Sequence, residues 1–121
     1  MSWTFTVEGQ PPSMNHLYTV VRNRSTGRPY LTKAPGVETY QLVATSRCRA
    51  ARPADWQPAP QIRVAYWFHV KRDIDCDNAL KALNDAIAIA LGVNDKAFLP
   101  CVKEKTTGAK EPRTVVVIED A

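Results

Sequence analysis

The chain of 121 residues and 13.5 kDa is long enough for one hydrophobic core and too short for two. Its formal charge of +4 is uneven: residues 1–72 hold ten Lys or Arg against three acids, whereas residues 73–121 hold six against nine, so a basic part precedes an acidic one and a polyanion such as nucleic acid is the expected partner. Three cysteines without C-x-x-C spacing argue against a disulfide framework or a zinc site. The longest apolar run, 86–93, is too short to cross a bilayer, so a reduced, cytoplasmic protein with no membrane partner is expected.

In chain order, Trp3, Phe5 and Val7 alternate with threonines and stop at Gly9-Gln10-Pro11-Pro12, which predicts a strand entering a stiff turn. Residues 17–21 and 28–32 flank Arg22-Asn23-Arg24-Ser25-Thr26-Gly27, the pattern of a hairpin with a basic tip. Pro35 and Glu38 favour a helix over 35–51 with Tyr40, Val43 and Ala44 on its buried stripe, and Pro53, Pro58 and Pro60 end it. Ile62, Val64, Tyr66 and Phe68 alternate with Arg63, Ala65, Trp67 and His69, a strand that runs directly into Lys71-Arg72-Asp73-Ile74-Asp75-Cys76-Asp77-Asn78.

A second helix follows, with Leu80, Leu83, Ile87, Ala90 and Leu91 on one stripe, Asp77, Lys81 and Asp85 on another, and Gly92 as its C-terminal cap. Two further strands are predicted at 101–105 and 113–118. The expected fold is α+β: a single domain over 1–121 with a mixed β-sheet and two main α-helices.

The acidic island is the chemical signal. Two carboxylates 4 Å apart repel by about 4 kcal/mol at an effective dielectric of 20, so converging aspartates must spread apart, take up protons or bind a cation. Helix capping accounts for one or two of them. An EF-hand fits Asp73, Asp75 and Asp77 at positions one, three and five, then fails, because Asn78 stands where Gly is needed and Asn84 where a bidentate Glu is needed. Hard oxygen donors at a strand-to-helix junction suit Mg²⁺, the ion of phosphodiester hydrolysis. Lys71 and Arg72 beside the acids, and Arg22, Arg24, Arg28 and Lys33 on and after the hairpin, are the candidate DNA contacts, with Tyr18 and Tyr30 nearby for stacking. His69, at the end of an apolar strand near the acids, is read as a hydrogen-bonded structural histidine in preference to a ligand or a base, and His16 is given no role.

The run Asp75-Cys76-Asp77-Asn78-Ala79-Leu80-Lys81, followed by Asp85, Gly92 and Asp95, resembles the D-x-D-N-x-x-K motif of the RusA family of Holliday-junction resolvases. Pro11-Pro12-Ser13-Met14-Asn15 with Tyr18, and Tyr30-Leu31-Thr32-Lys33 leading to Tyr40, resemble that family's earlier segments in the same order. The resemblance implies a homodimeric, Mg²⁺-dependent endonuclease, with Mn²⁺ able to substitute, that resolves four-way DNA junctions by paired symmetric nicks leaving 5′-phosphate and 3′-hydroxyl ends. It implies Asp75, Asp77 and Asp95 as metal ligands and Lys81 as the catalytic cation. Asn78 and Asp85 are candidate supporting groups beside them, and Asp73, two residues before the motif, is either a supporting group or a solvated acid. The chain departs from the family pattern around Asp95, where Gly92-Val93-Asn94-Asp95-Lys96 is a shortened connection. The rival reading is a non-catalytic nucleic-acid-binding protein whose acidic island is a capped, solvated helix start.

Overall fold

The computed structural model describes residues 2–12, 18–33 and 36–120, with the side chains of Tyr18, Thr19, Thr32, Lys33 and Asp120 excepted. In order the chain forms β1 (Ser2–Glu8), β2 (Tyr18–Arg22), β3 (Pro29–Lys33), α1 (Val37–Ala51), β4 (Ile62–His69), α2 (Cys76–Leu91), a 3-10 turn at Asp95–Ala97, β5 (Phe98–Thr106) and β6 (Arg113–Asp120). Four strands make one mixed sheet in the order β1-β6-β4-β5, antiparallel throughout except for the β4–β5 pair, and β2–β3 form a separate two-stranded ribbon. This is the expected α+β architecture of two helices and a mixed sheet.

Period-two alternation places Trp3, Phe5 and Val7 of β1, Ile62, Val64, Tyr66 and Phe68 of β4, and Val116 and Ile118 of β6 in the core. Against that face α1 sets Tyr40, Ala44 and Cys48, and α2 sets Ala79, Leu83, Ala86 and Ile87. Burial pushes the Tyr40 hydroxyl and the Cys48 thiol up to about 12, so both stay neutral, with the Tyr40 hydroxyl 3.3 Å from Thr114 Oγ1. The two helices are also stitched through a polar group: Gln41 Nε2 donates to the Ala82 carbonyl at 3.1 Å, while the Thr45 hydroxyl shares its one proton between the Gln41 carbonyl of its own helix at 2.8 Å and the Ala86 carbonyl at 3.3 Å.

A parallel strand pair cannot be joined by a tight turn, and α2 supplies the crossover between β4 and β5. The N-terminus of α2 therefore sits where β4 and β5 end, and its C-terminus returns to where β5 begins. Gly92 closes the helix in the left-handed region at φ 67°, a conformation that glycine adopts without a Cβ penalty.

The hairpin is closed by local chemistry. Asn23 Oδ1 accepts from the backbone N–H groups of Ser25 and Thr26 at 2.8 and 3.2 Å, and the Gly27 N–H donates to the Asn23 carbonyl at 2.7 Å. Its strands leave Val20 and Leu31, which are cross-strand partners, 68% and 66% exposed.

Candidate active site

The acidic island occupies the link between β4 and α2, at the carboxyl ends of the parallel pair, the edge at which open α/β sheets hold ligands. Asp75 is the N-cap of α2: its side chain accepts from the Asp77 N–H at 3.0 Å, which leaves its second oxygen uncommitted to that bond. Asp77 follows in the first turn, exposed, where the positive end of the helix dipole favours anionic groups. Asn78 is 3% exposed, and its Oδ1 has no hydrogen-bond partner among the described residues. One turn after Asp77, Lys81 stands exposed on α2, with the half-buried Asp85 a turn beyond it.

Asp73 has a partner that the sequence did not reveal. Lys105, near the end of β5, places its Nζ 2.7 Å from Asp73 Oδ1 and donates to the Ile74 carbonyl at 3.2 Å. The same Asp73 oxygen accepts from the Ile74 N–H at 3.0 Å. The hydrogen bond from Lys105, then that from Ile74, holds the Asp73 carboxyl below its ordinary range, and Asp73 in turn raises the Lys105 ammonium.

A second unexpected contact comes from the other side. Gln10, directly before Pro11-Pro12, donates from Nε2 to the Arg72 carbonyl at 2.9 Å and accepts from the Lys71 N–H at 2.8 Å. The Gly108 N–H meets the Lys71 carbonyl at 3.3 Å, and the Ala109 N–H meets the Val70 carbonyl at 3.0 Å. The backbone that presents Lys71 and Arg72, both exposed, is thus fixed on two flanks.

The candidate ligands are not all neighbours within one chain. Asp95 lies in the 3-10 turn just before Phe98, and Phe98 pairs with Ile62 at the start of β4, whereas Asp75 follows the end of β4. From Asp77 to the last turn of α2 the helix rises by roughly 21 Å at 1.5 Å per residue, so Asp95 and the Asp75–Asp77 pair lie at opposite ends of α2 and of the parallel strand pair. Among the described residues no three His, Cys, Asp or Glu side chains gather closely enough to hold a metal ion. What one chain offers a divalent cation is a pair of hard carboxylate donors with the orphaned Asn78 oxygen in the same turn, a donor set that fits Mg²⁺ in kind.

Of the candidate DNA contacts on the ribbon, Arg24 and Arg28 are exposed, and Arg22 is exposed while bonding the Gly27 carbonyl through Nη1 at 3.2 Å. Lys33 closes β3, and its side chain lies outside the described residues, as do that of Tyr18 and the whole of Ser13, Met14, Asn15 and His16. His69 Nδ1 stands 2.9 Å from Thr106 Oγ1, a hydrogen bond between adjacent parallel strands.

Fold and site together define an α+β protein whose acidic helix start, flanked by cations, stands at the edge of a parallel strand pair. The family model for endodeoxyribonuclease RusA matches residues 28–119, and the chain belongs to the RusA family of endodeoxyribonucleases. The resemblance carried by the motif from Asp75 to Lys81 therefore holds. No curated protein matches the sequence. Among solved structures, a 2C-methyl-D-erythritol 2,4-cyclodiphosphate synthase from Plasmodium vivax is similar at a TM-score of 0.40 and 12% identity, over 98% of this chain and 95% of that one, a likeness that carries no functional argument. Among the described residues no helix is long and apolar enough to cross a membrane.

Proposed function

We propose that this protein is a Mg²⁺-dependent, structure-selective endonuclease that resolves four-way DNA junctions by paired, symmetric nicks in recombination and repair. The observation that carries the reading is the Asp75–Asp77 pair at the start of α2 in a chain of the endodeoxyribonuclease RusA family.

Asp75 and Asp77 would hold a divalent cation, which would supply Lewis acidity toward a phosphodiester oxygen and acidify a water molecule. The chain's own residues do the rest. Lys71 and Arg72, on backbone pinned by Gln10 and Gly108, meet the phosphates beside the scissile bond. Lys81, one turn beyond Asp77 and about 6 Å along the helix, stabilises the negative charge that builds on the phosphoryl oxygens. Arg22, Arg24, Arg28 and Lys33 grip a DNA arm through its backbone.

A four-way junction has approximate two-fold symmetry, so paired nicks call for two identical sites in a homodimer acting in the cytoplasm. The dimer has a second role in this reading, because Asp95 reaches an Asp75–Asp77 pair only from a second copy.

The test is incubation of purified protein with an end-labelled four-way junction, with and without Mg²⁺. Paired nicks that require the metal are expected. Asp77→Asn and Lys81→Ala should each keep junction binding and lose about 100-fold or more in nicking rate. Junction binding without nicks by the parental protein would instead establish the non-catalytic rival.

A further inference from the structure

The nuclease reading gives no task to Lys105, although this lysine touches the acidic junction directly. Its place there is decided by an irregularity in β5. Tyr66 pairs with Val102, but Trp67 pairs with Glu104, so Lys103 is bypassed and the register shifts by one residue. Because side chains alternate along a strand, a one-residue shift exchanges the faces of everything that follows. Unbroken pairing would set Glu104 beside Phe68 on the helix-bearing face, adding a fourth carboxylate to the aspartates. With the bulge, Lys105 stands beside Phe68 and reaches the junction, and Glu104 falls beside Trp67.

Lys105 then brackets a single residue, Ile74. Its ammonium holds Asp73 Oδ1 at 2.7 Å and the Ile74 carbonyl at 3.2 Å, while the Ile74 N–H closes the ring onto the same Asp73 oxygen at 3.0 Å. The next residue is Asp75, the cap of α2, and the next but one after that is Asp77.

We propose that Lys105 is a positioning residue of the catalytic junction: through Asp73 and the Ile74 carbonyl it fixes the backbone from which Asp75 and Asp77 project, and its charge offsets the repulsion among the three aspartates before any cation arrives. The bulge in β5 is the device that delivers it. This rests on the nuclease reading for its consequence in nicking, and on the geometry alone for its consequence in backbone order.

The test compares the parental protein with Lys105→Met, which keeps the apolar stem, with Lys105→Arg, and with Glu104→Gln as a control on the opposite face. Two readouts are needed: single-turnover nicking at saturating junction and Mg²⁺, and amide hydrogen exchange across residues 74–78 in metal-free protein. Lys105→Met should nick about 10- to 100-fold more slowly, the usual cost of losing a group that orients a ligand, with junction affinity unchanged and faster exchange confined to the junction. Lys105→Arg should recover most of both, and Glu104→Gln should match the parent.

Parental nicking and exchange in Lys105→Met would overturn the proposal and leave the nuclease standing. Loss of junction affinity with unchanged exchange would also overturn it, making Lys105 a DNA contact. If the parental protein does not nick at all, the nuclease reading fails, and the exchange measurement still decides whether Lys105 orders the junction.

Discussion

Asp75 carries two duties in one side chain, a helix cap and a proposed cation donor, and they can be separated chemically. Asparagine caps as well as aspartate does but has no charge, whereas alanine does neither. Asp75→Asn should therefore keep the parental Tm and lose nicking, while Asp75→Ala should lose nicking and about 1 kcal/mol of stability, read by urea denaturation. Equal activity of Asp75→Asn and parent would remove the donor role. The Asp73–Lys105 contact sets a pH signature of its own. Asp73 is held below its ordinary value of about 3.9, so its contribution to stability is present above that pH and fades as pH falls through the lowered value. Lys105 is held above its ordinary value of about 10.4, so its contribution is present below that pH and fades as pH rises through the raised one. Stability curves of parent and Lys105→Met should thus differ at intermediate pH and converge at both extremes.

At the scale of elements, α2 joins core to site, since the stripe that buries Leu83 and Ile87 orients the turn that holds Asp77. Leu83 is fully buried between helix and sheet, and Leu83→Ala should cost about 2–5 kcal/mol, seen as a lower urea midpoint at unchanged slope. A cost below 1 kcal/mol would mean that the stripe does not anchor the helix. The elements that could be read from sequence were those with unbroken periodicity: β1, β4 and α2 lie where alternation and three-and-four spacing predicted them. The first helix begins at Val37, after Gly36 at φ 91°, two residues later than Pro35 suggested. The fifth strand begins at Phe98, three residues before the predicted start, and the Asp95–Ala97 turn was not foreseen. Strand β5 is exposed along most of its length and interrupted by a bulge, so it offers no clean alternation to read. For the same reason Lys105 was indistinguishable from Lys103.

At the scale of the whole molecule, the separation of Asp95 from Asp75 and Asp77 turns the question of dimerisation into an experiment on catalysis. In a mixed dimer of Asp77→Asn and Asp95→Asn chains, sites completed by the partner leave one intact site of two, whereas sites confined to one chain leave none. Mixing the two inactive proteins under conditions of subunit exchange should restore single nicks on a labelled junction; no recovery, with exchange verified by mass spectrometry, would exclude sharing of Asp95. The sequence by itself determined the run of aspartates, the helix start that displays it and the basic run beside it, because capping, amphipathic spacing and charge order act over a few residues. Only the tertiary structure decided that Gln10 clamps the Lys71–Arg72 backbone, that Lys105 and not Glu104 faces the aspartates, and that Asp95 stands a helix length away. Those outcomes depend on strand register and crossover geometry between segments that are distant along the chain, and no local pattern encodes them.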